Sequence, residues 1–253
     1  MDTSEIDRAA DILIEARRQH RQIDHLPVSL KLPADAYAIQ DAVAHRLGPV
    51  AGWKVGAKGP GEHPNCAPLL SPLIYRSPAV VSSARLHMIG IEAEIAFSLG
   101  RDIPPRDANV SEAEIAQSIR SVNPAIEIVD TRIADWRNAD KLLLLADNQM
   151  NGGFVFGPKV TNWRQRRWTE QPVRLAIDGR TVVETIGGNA AGDPGWLVAW
   201  LIDHCARHRG GMRAGSFITT GSCTGLIFVE PGTVIEAEFS GLGAVSVTFP
   251  VRG

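Results

Sequence analysis

The segment MIGIEAEIAFSLG at residues 88–100 constrains the fold more than any other part of the chain. Residues on a β-strand point alternately to its two faces. The odd-numbered positions from 91 to 99 are all apolar, whereas two acids, Glu92 and Glu94, point to the opposite face. The segment therefore predicts a strand that buries one face in a core and holds two carboxylates on the other, with Cα atoms about 6.5 to 7 Å apart.

The chain is long enough to build a large core around such a strand. It has 253 residues, of which 44% are hydrophobic and 21% charged, as is typical of one large globular domain or of one domain with a small appendage. The formal net charge of -2 gives no electrostatic reason to expect a nucleic acid or an anionic membrane as partner. We therefore expect small molecules as ligands.

The cysteines and the N-terminal segment bear on the cellular compartment. The three cysteines are widely spaced and odd in number, so they match neither a disulfide framework nor a CxxC zinc module. The N-terminal segment is charged throughout and lacks the apolar core of a signal peptide. No uncharged window approaches the ~20 residues of a membrane span. A cytoplasmic location is expected.

Periodicity places helices at the ends of the chain and strands in the middle. Apolar residues recur at helical spacing in residues 6–16 and from Pro33 to Leu47, which predicts an N-terminal helical segment over residues 1–50. Residues 51–253 carry mainly strand patterns, with one hairpin around Asp178-Gly179 and a second near the C-terminus. We expect an α+β fold in which the two parts form one compact unit.

The segment from Gly52 to Ser77 is rich in glycine and proline. Such a composition favours a short strand followed by a long irregular loop. Long loops in compact domains are often functional. The sequence thus predicts a loop that contributes to a site.

Motifs of three common enzyme classes are absent from the sequence. It contains no P-loop, no HExxH and no GxSxG, so nucleotide hydrolysis, zinc proteolysis and α/β-hydrolase chemistry have no support. The histidines occur singly, without a partner pattern for metal binding. Any chemistry must therefore come from other residues.

A third acid interrupts another apolar run, at Glu127 in the sequence AIEIV. A buried carboxylate is costly unless a cation or hydrogen-bond donors compensate its charge. With Glu92 and Glu94 it would form an all-oxygen site suited to Mg²⁺ or Mn²⁺. The alternative is that Glu-x-Glu marks the solvated face of an ordinary antiparallel strand, as we expect for Glu236 and Glu238 in the last hairpin.

Several motifs occur in one order along the chain. They are AYAIQ, GWKVG from Gly52, GIEAEIAFSLGRDIP, NPAIEIVDTRIADW, ADN at residues 146–148, and TGSCTG through FSGLGAVSVTF. Together they resemble the fumarylacetoacetate hydrolase superfamily, and more narrowly its 2-keto-4-pentenoate hydratase and 4-oxalocrotonate decarboxylase branch. The resemblance covers nearly the whole chain and implies a mixed, strongly twisted β-sheet core (a β-roll) with peripheral helices.

The resemblance also implies roles for individual residues. In the family, two strand glutamates and the glutamate of the PAIE-type segment bind Mg²⁺ or Mn²⁺, which corresponds here to Glu92, Glu94 and Glu127. The lysine of the GWKVG-type motif corresponds to Lys54, whose ammonium would hold a substrate carboxylate or transfer a proton. A surface lysine beside a strand is the alternative. Substrate binding is expected at Ser222, Asn151 and Asp147.

Two departures from the family pattern bear on the reaction. The branch usually carries an acidic residue in a PDYG-like stretch after the lysine, whereas this chain reads CAPLLSPLI there, without an acid. Glu62 and His63 on the neighbouring loop are candidate catalytic substitutes, and a solvated loop is the alternative. After the ADN motif the family often has small residues with a serine, whereas this chain has Asn151, which cannot act as an acid or base.

The resemblance implies a divalent-metal-dependent lyase for small 2-oxo or dienol acids in the catabolism of aromatic compounds. We expect a hydratase of 2-hydroxypenta-2,4-dienoate-type acids. The alternatives are a decarboxylase of 2-oxo-3-hexenedioate (4-oxalocrotonate), a hydrolase of an acylpyruvate C–C bond, and a non-catalytic subunit associated with a related hydratase or decarboxylase chain. The resemblance further implies a homo-oligomer.

Three arginines are candidates for binding a second substrate carboxylate. They are Arg101, Arg132 and Arg137. Arg132 lies beside Asp130 in the sequence and is equally explained as part of a structural ion pair. The sequence alone does not place these side chains, so mono- and dicarboxylate substrates both stay open.

Overall fold

The computed structural model describes residues 1–251. Its helices are α1 (Thr3–Arg18), α2 (Pro33–Leu47), α3 (Glu112–Ser118), α4 (Lys141–Ala146) and α5 (Gly195–His208). Its strands are β1 (Val50–Gly56), β2 (Asn65–Leu70), β3 (Ile74–Arg76), β4 (Ala79–Val80), β5 (Ile89–Leu99), β6 (Ile119–Val129), β7 (Asn151–Phe156), β8 (Pro172–Ile177), β9 (Arg180–Ile186), β10 (Phe217–Ser222), β11 (Ile227–Val229), β12 (Val234–Phe239) and β13 (Gly243–Thr248). Both predicted hairpins are confirmed, as the pairs β8–β9 and β12–β13.

The described strands form two sheets. The larger has the order β2-β1-β10-β5-β6-β7-β3, with β11 pairing to the start of β5. The smaller has the order β4-β13-β12-β8-β9. Parallel and antiparallel pairs occur together, since β1 runs parallel to β10 whereas β5 and β6 are antiparallel. With few helices around mixed sheets, the predicted α+β class is confirmed.

The central strand β5 separates an apolar core from an acidic face. Ile91, Ala93 and Ile95 are at most 1% exposed and belong to the main core, which also contains residues of α5 and of the smaller sheet. Because side chains alternate along a strand, Glu92 and Glu94 project from the opposite face, as predicted. The hydrophobic burial that fixes this strand therefore also fixes the direction of its carboxylates.

A smaller apolar cluster joins the N-terminal helices to α4. Leu13 of α1, Ile39 of α2 and Leu145 of α4 are all buried in it. Helix α1 begins at a capping box formed by Asp2 and Glu5, which satisfies the first backbone N–H groups. This packing holds α4, which leads directly into residues of the acidic face. The division of the chain at residue 50 stays a prediction.

The prediction of a long irregular loop between Gly52 and Ser77 is wrong. The chain continues from β1 through a short connection at residues 57–64 into β2 and then β3. Pro68 lies within β2, opposite Trp53. Because β2 is the edge strand of the larger sheet, a residue without an N–H group is tolerated there. Only part of the proline content therefore belongs to a loop, since Pro68 lies in an edge strand.

Two findings concern the environment of the chain. Within residues 1–251, none of the helices combines the length and the apolar composition needed to cross a bilayer. The three cysteines are buried and free, so none of them forms a disulfide.

Candidate metal centre

Three glutamates converge on one face of the larger sheet. Glu92 and Glu94 come from β5 and Glu127 from β6, and the antiparallel register places Glu92 directly opposite Glu127. Each glutamate offers a carboxylate oxygen, and these three oxygens lie within 4.8 Å of one another. Side chains directly opposite each other on neighbouring strands point to the same side of the sheet. The pairing of two strands therefore builds the cluster.

The cluster is buried, which makes its negative charge expensive. Glu94 and Glu127 are at most 1% exposed, and Glu92 is partly exposed. Burial, followed by repulsion from Glu127, raises the pKa of Glu92 to about 7. The same two causes, together with the charge of Glu92, raise the pKa of Glu94 well above its usual range. Three carboxylates held this close are stable only where a cation compensates their charge or where some of them keep a proton.

Lys54 supplies one positive charge at the edge of the cluster. Its Nζ lies 2.5 Å from Oε1 of Glu127 and donates a hydrogen bond of 3.0 Å to the backbone carbonyl of Gln149. Burial alone would lower the pKa of Lys54, but the charges of the three glutamates, foremost Glu127, more than offset this and raise the pKa. The side chain is buried, so the surface-lysine alternative does not apply.

Neutral donors hold the carboxylates in place. Nδ2 of Asn151 donates to Oε1 of Glu127 at 2.9 Å. Oε2 of Glu94 accepts from the hydroxyl of Thr219 and from the backbone N–H of Gly221. Thr219 projects from β10 beside Lys54, its partner in the parallel pair of β1 and β10. No sequence motif pointed to Thr219, because its role depends on this non-local pairing.

One oxygen of the cluster has no partner. Oε2 of Glu127 is buried and accepts no hydrogen bond from any residue in 1–251, although buried carboxylate oxygens are normally satisfied. The oxygen belongs to an all-carboxylate set in which, within the described part of the chain, Lys54 is the one cation in contact with a glutamate. A divalent cation such as Mg²⁺ prefers oxygen ligands of this type. The residues present therefore fit a hard divalent cation.

An unusual backbone segment precedes β7 and reaches the cluster. Asn148, Gln149 and Met150 all have left-handed conformations, with φ values of 55, 50 and 61°. Each such non-glycine residue costs on the order of 1–3 kcal/mol, and such strain is common at functional sites. Here it directs the Gln149 carbonyl toward Lys54. Asparagine tolerates this conformation, but no residue type in the sequence signals three in succession.

Ser222 lies at the end of β10, opposite Glu94 in the register between β10 and β5. Its hydroxyl donates to the carbonyl of Gly225 at 3.1 Å and accepts from the backbone N–H of Thr224 at 3.2 Å. The side chain is partly exposed. The predicted substrate-binding residue is therefore next to the acidic cluster, where its role stays a prediction.

Asp147, which the sequence assigns to substrate binding, is buried and is held by its neighbours Thr131 and Arg132. Its Oδ1 accepts from Nε of Arg132 at 2.7 Å, and its Oδ2 accepts from the backbone N–H of Arg132 at 2.9 Å and from the hydroxyl of Thr131 at 2.6 Å. Both side chains are buried, and Arg132 is also 3.4 Å from Asp130. These contacts occupy both oxygens of Asp147 and give it a structural role.

The structure does not bring Glu62 and His63 to the cluster. Both are exposed on the connection between β1 and β2. The ring of His63 packs edge-on against Trp200 of α5, with centroids 5.7 Å apart. Among residues 1–251, neither side chain forms a hydrogen bond or ion pair with Lys54 or with the glutamates. Their placement matches the alternative of a solvated loop.

Glu236 and Glu238 lie on the solvated face of a strand, as predicted. Glu236 and Glu238 of β12 have the same spacing as Glu92 and Glu94, but both are exposed on a strand with one wet face. They accept from Arg174, at 2.7 Å in the case of Glu238. Spacing alone therefore does not distinguish a metal centre from a solvated strand, and burial does.

A cavity of about 780 Å³ lies beside Val50 and Trp53 of β1. It is lined by residues that include Asp41, Trp53, Arg209 and Ser216. None of the predicted site residues lines it. The predicted site residues therefore lie outside this cavity.

Metal binding at these carboxylates should strengthen as the pH rises. Because the pKa of Glu92 is raised to about 7, its carboxyl is largely protonated at pH 6, and that proton must leave before a cation binds. Below the pKa of a displaced proton, we expect Mg²⁺ affinity to increase by up to about tenfold per pH unit, and the part due to Glu92 should level off above about pH 7. Calorimetric titration at pH 6, 7 and 8 in two buffers of different ionisation enthalpy measures both the affinity and the protons released. A pH-independent affinity would contradict the expectation.

Comparisons with known proteins agree with this geometry. The 2-keto-4-pentenoate hydratase of Paraburkholderia xenovorans (strain LB400) is 31% identical over 226 residues, which cover 85% of this chain and 83% of that protein. The TodF product hydratase of Pseudomonas putida (strain ATCC 700007 / DSM 6899 / JCM 31910 / BCRC 17059 / LMG 24140 / F1) is 28% identical over 98% of this chain and 96% of its own.

A solved structure resembles the whole fold. It is that of 4-oxalocrotonate decarboxylase from Pseudomonas putida G7 in complex with magnesium and adipate, with a TM-score of 0.86, 24% identity and 98% coverage of both chains. Residues 63–249 match the family model described as fumarylacetoacetate (FAA) hydrolase C-terminal. The match spans β5 and β6, the two strands that carry the glutamates. On this evidence the chain belongs to the fumarylacetoacetate hydrolase family.

Proposed function

We propose that the protein is a divalent-metal-dependent hydratase of 2-hydroxypenta-2,4-dienoate-type acids. The observation that carries the proposal is the buried convergence of Glu92, Glu94 and Glu127 beside Lys54, with Oε2 of Glu127 left without a partner. The relatives named as 2-keto-4-pentenoate hydratases support the reaction type, since one of them is 31% identical over most of this chain. Mg²⁺ or Mn²⁺ is the proposed ion, held by the three glutamates.

The reaction requires proton movement and charge stabilisation. Conversion of the dienol to a conjugated 2-oxo acid moves a proton from the 2-hydroxyl group to the carbon chain, and water then adds to the remaining double bond. A bound divalent cation would supply Lewis-acid stabilisation of negative charge on the oxygens of the 2-oxo acid. Substrate binding and proton transfer would then be carried out by side chains of the protein.

Lys54 is placed to bind the substrate carboxylate or to carry the proton. Its ammonium is fixed by Glu127 and by the carbonyl of Gln149, so it need not reorganise when substrate arrives. Asn151 and Thr219 orient the carboxylates of Glu127 and Glu94. The family's missing acid is not replaced by Glu62 or His63 in this arrangement, which leaves Lys54 as the proposed proton carrier.

Substitution of Lys54 tests this role. We expect Lys54→Met to lower kcat about 10²- to 10⁴-fold, the range typical of a lost general acid or base. Mg²⁺ should still bind, since all three glutamates are retained. Lys159→Met, at an exposed position, is the matched control and should leave both properties unchanged. Near-normal turnover in Lys54→Met would exclude Lys54 from proton transfer.

The hydratase proposal itself is tested by direct assay. Purified protein is mixed with Mg²⁺ or Mn²⁺ and freshly generated 2-hydroxypenta-2,4-dienoate, and the loss of dienol absorbance in the ultraviolet is followed. We expect metal-dependent consumption and a product heavier by one water. No consumption with either metal would contradict the proposal.

Decarboxylation of 2-oxo-3-hexenedioate is the second candidate. It is favoured by the TM-score of 0.86 to 4-oxalocrotonate decarboxylase over 98% of both chains. The same assay with 2-oxo-3-hexenedioate, coupled to detection of carbon dioxide, distinguishes the two reactions. Acylpyruvate hydrolysis would need a base to activate water, and Glu62 with His63 does not reach the cluster. A non-catalytic subunit would bind metal and 2-oxo acids but turn over substrate only with a partner chain.

The proposal extends to the setting of the enzyme. We place it in the cytoplasm, in the catabolism of aromatic compounds, and as a homo-oligomer. Analytical ultracentrifugation of the purified chain measures its oligomeric state. A monomer that is fully active would contradict the proposed assembly and leave the proposed reaction untouched.

A further inference from the structure

The three arginines considered for a second substrate carboxylate have different surroundings. Arg132 is buried in ion pairs with Asp147 and Asp130. Arg101 donates to the backbone carbonyl of Glu114 at 2.8 Å and so supports α3. Arg137 is exposed, and within residues 1–251 no carboxylate forms an ion pair with it. Arg137 alone of the three thus keeps a guanidinium available for a ligand.

The guanidinium of Arg137 is positioned by two aromatic rings. Its Cζ lies 4.4 Å from the ring centroid of Trp136 and 5.9 Å from that of Phe228. The two rings are themselves 5.9 Å apart and come from different segments, the connection after β6 and strand β11. Stacking on aromatic faces restricts a guanidinium while leaving its N–H groups free to donate. Arg137 is therefore an oriented donor and not a mobile surface charge.

The strand register places Phe228, one of the two rings beside the guanidinium, on the acidic face of the sheet. Phe228 pairs directly with Gly90 of β5, so its side chain lies on the same side as the position of Gly90. Glu92 is two residues further along β5 and shares that face, about 6.5 to 7 Å away. Strand β6 ends at Val129, also opposite Gly90, and its following connection carries Trp136 and Arg137. The arginine and the glutamates therefore border one surface.

We propose that Arg137 binds a second carboxylate of the substrate and selects 2-oxo acids that carry one. The inference rests on the proposed function, because it assumes that the 2-oxo acid end of the substrate is held at the three glutamates. A guanidinium binds a carboxylate through two parallel hydrogen bonds, and within residues 1–251 no ion pair occupies the N–H groups of Arg137 beside the Trp136 ring. Phe228 is 44% exposed and offers an apolar surface to the carbon chain between the two carboxylates. The preferred substrate of the proposed hydratase is thus a 2-hydroxydienoate with a second carboxylate at its far end, and 2-hydroxypenta-2,4-dienoate, which lacks that group, is a weaker substrate.

Two acids that differ only at their far end test the proposal. 2-Oxoadipate and 2-oxohexanoate share the 2-oxo acid group and chain length, but only the first has a second carboxylate. Calorimetric titration into the Mg²⁺-loaded protein gives both affinities without turnover. We expect the wild type to bind 2-oxoadipate about 10- to 100-fold more tightly, as for a charge-assisted hydrogen-bonded pair.

Variants assign this preference to Arg137. Arg137→Gln should remove most of the preference for 2-oxoadipate and leave the affinity for 2-oxohexanoate unchanged. Arg137→Lys keeps the positive charge but not the planar guanidinium that makes two parallel hydrogen bonds, so we expect an intermediate preference for 2-oxoadipate. Arg164→Gln is the matched control, because Arg164 is exposed and stacks on Trp163 at 4.9 Å in the same manner. It should behave as the wild type.

The possible failures are distinguishable. Equal wild-type affinities for the two acids, or a preference that persists in Arg137→Gln, would overturn the role of Arg137 and leave the proposed function intact. An equal loss of affinity for both acids in Arg137→Gln would also overturn the role of Arg137, because the effect would not depend on the second carboxylate. Failure of both acids to bind wild-type protein with either Mg²⁺ or Mn²⁺ would overturn the proposed function together with this inference.

Discussion

The Glu92→Gln variant is expected to lose metal-dependent turnover by at least about a thousandfold, since a catalytic metal supplies several kcal/mol of transition-state stabilisation. Glutamine has nearly the same shape as glutamate but lacks the negative charge that a divalent cation requires. Glu92 is also the most exposed of the three acids, so its replacement leaves the packing of β5 intact. Calorimetry with Mg²⁺ should show a matching loss of affinity, while thermal unfolding without metal stays near that of the wild type.

The chain contains a control for this prediction. Glu238 has the same spacing from a neighbouring glutamate on a strand, but it is exposed and pairs with Arg174. Glu238→Gln should therefore change neither turnover nor Mg²⁺ affinity. Normal turnover and unchanged metal affinity in Glu92→Gln would show that the buried cluster is not a metal centre, whatever its geometry.

Asp147→Ala is expected to lower the free energy of unfolding by about 3–5 kcal/mol, the usual effect of removing one partner of a buried ion pair. Among residues 1–251, the substitution leaves the buried guanidinium of Arg132 with one carboxylate partner, the more distant Asp130 at 3.4 Å, besides its hydrogen bonds to backbone carbonyls. It also removes the acceptor of the Thr131 hydroxyl and of one backbone N–H. Urea-induced unfolding, monitored by the fluorescence of the six tryptophans, measures the change.

An exposed ion pair provides the comparison. Arg167 and Glu170 are 3.1 Å apart with both side chains largely in solvent, so Glu170→Ala should cost less than about 1 kcal/mol. Asp147→Ala should retain its KM at a temperature where it is folded. An increased KM with unchanged stability would instead restore the substrate-binding role that the sequence suggested for Asp147.

The acidic cluster was predictable because its elements are local patterns. The alternation in residues 88–100 fixes which side chains of β5 are buried, and Glu127 interrupts an equally apolar run. What the sequence does not contain is the register that sets Glu92 opposite Glu127, since pairing between strands is decided by the packing of the whole sheet. The resemblance to a known family supplied that link.

The errors arose where local composition and tertiary environment disagree. Pro68 suggested a loop but occupies an edge strand, where a missing N–H group does no harm. Asp147 lies in a motif close to the site, yet Arg132 draws its carboxylate into the interior. Thr219 and Gln149 gave no signal, because a threonine in a strand and a glutamine after a helix are ordinary until distant residues approach them.

The contact between Lys54 and Glu127 has a consequence for how the protein is made. Three carboxylates at close range would oppose folding if all were charged, but Lys54 neutralises Glu127, and the raised pKa values of Glu92 and Glu94 let them retain protons. The nascent chain can therefore complete its fold before an ion arrives. Metal binding at the proposed centre would then be an exchange of protons for the ion at a preformed site, and we expect chelation and reloading to be reversible without refolding.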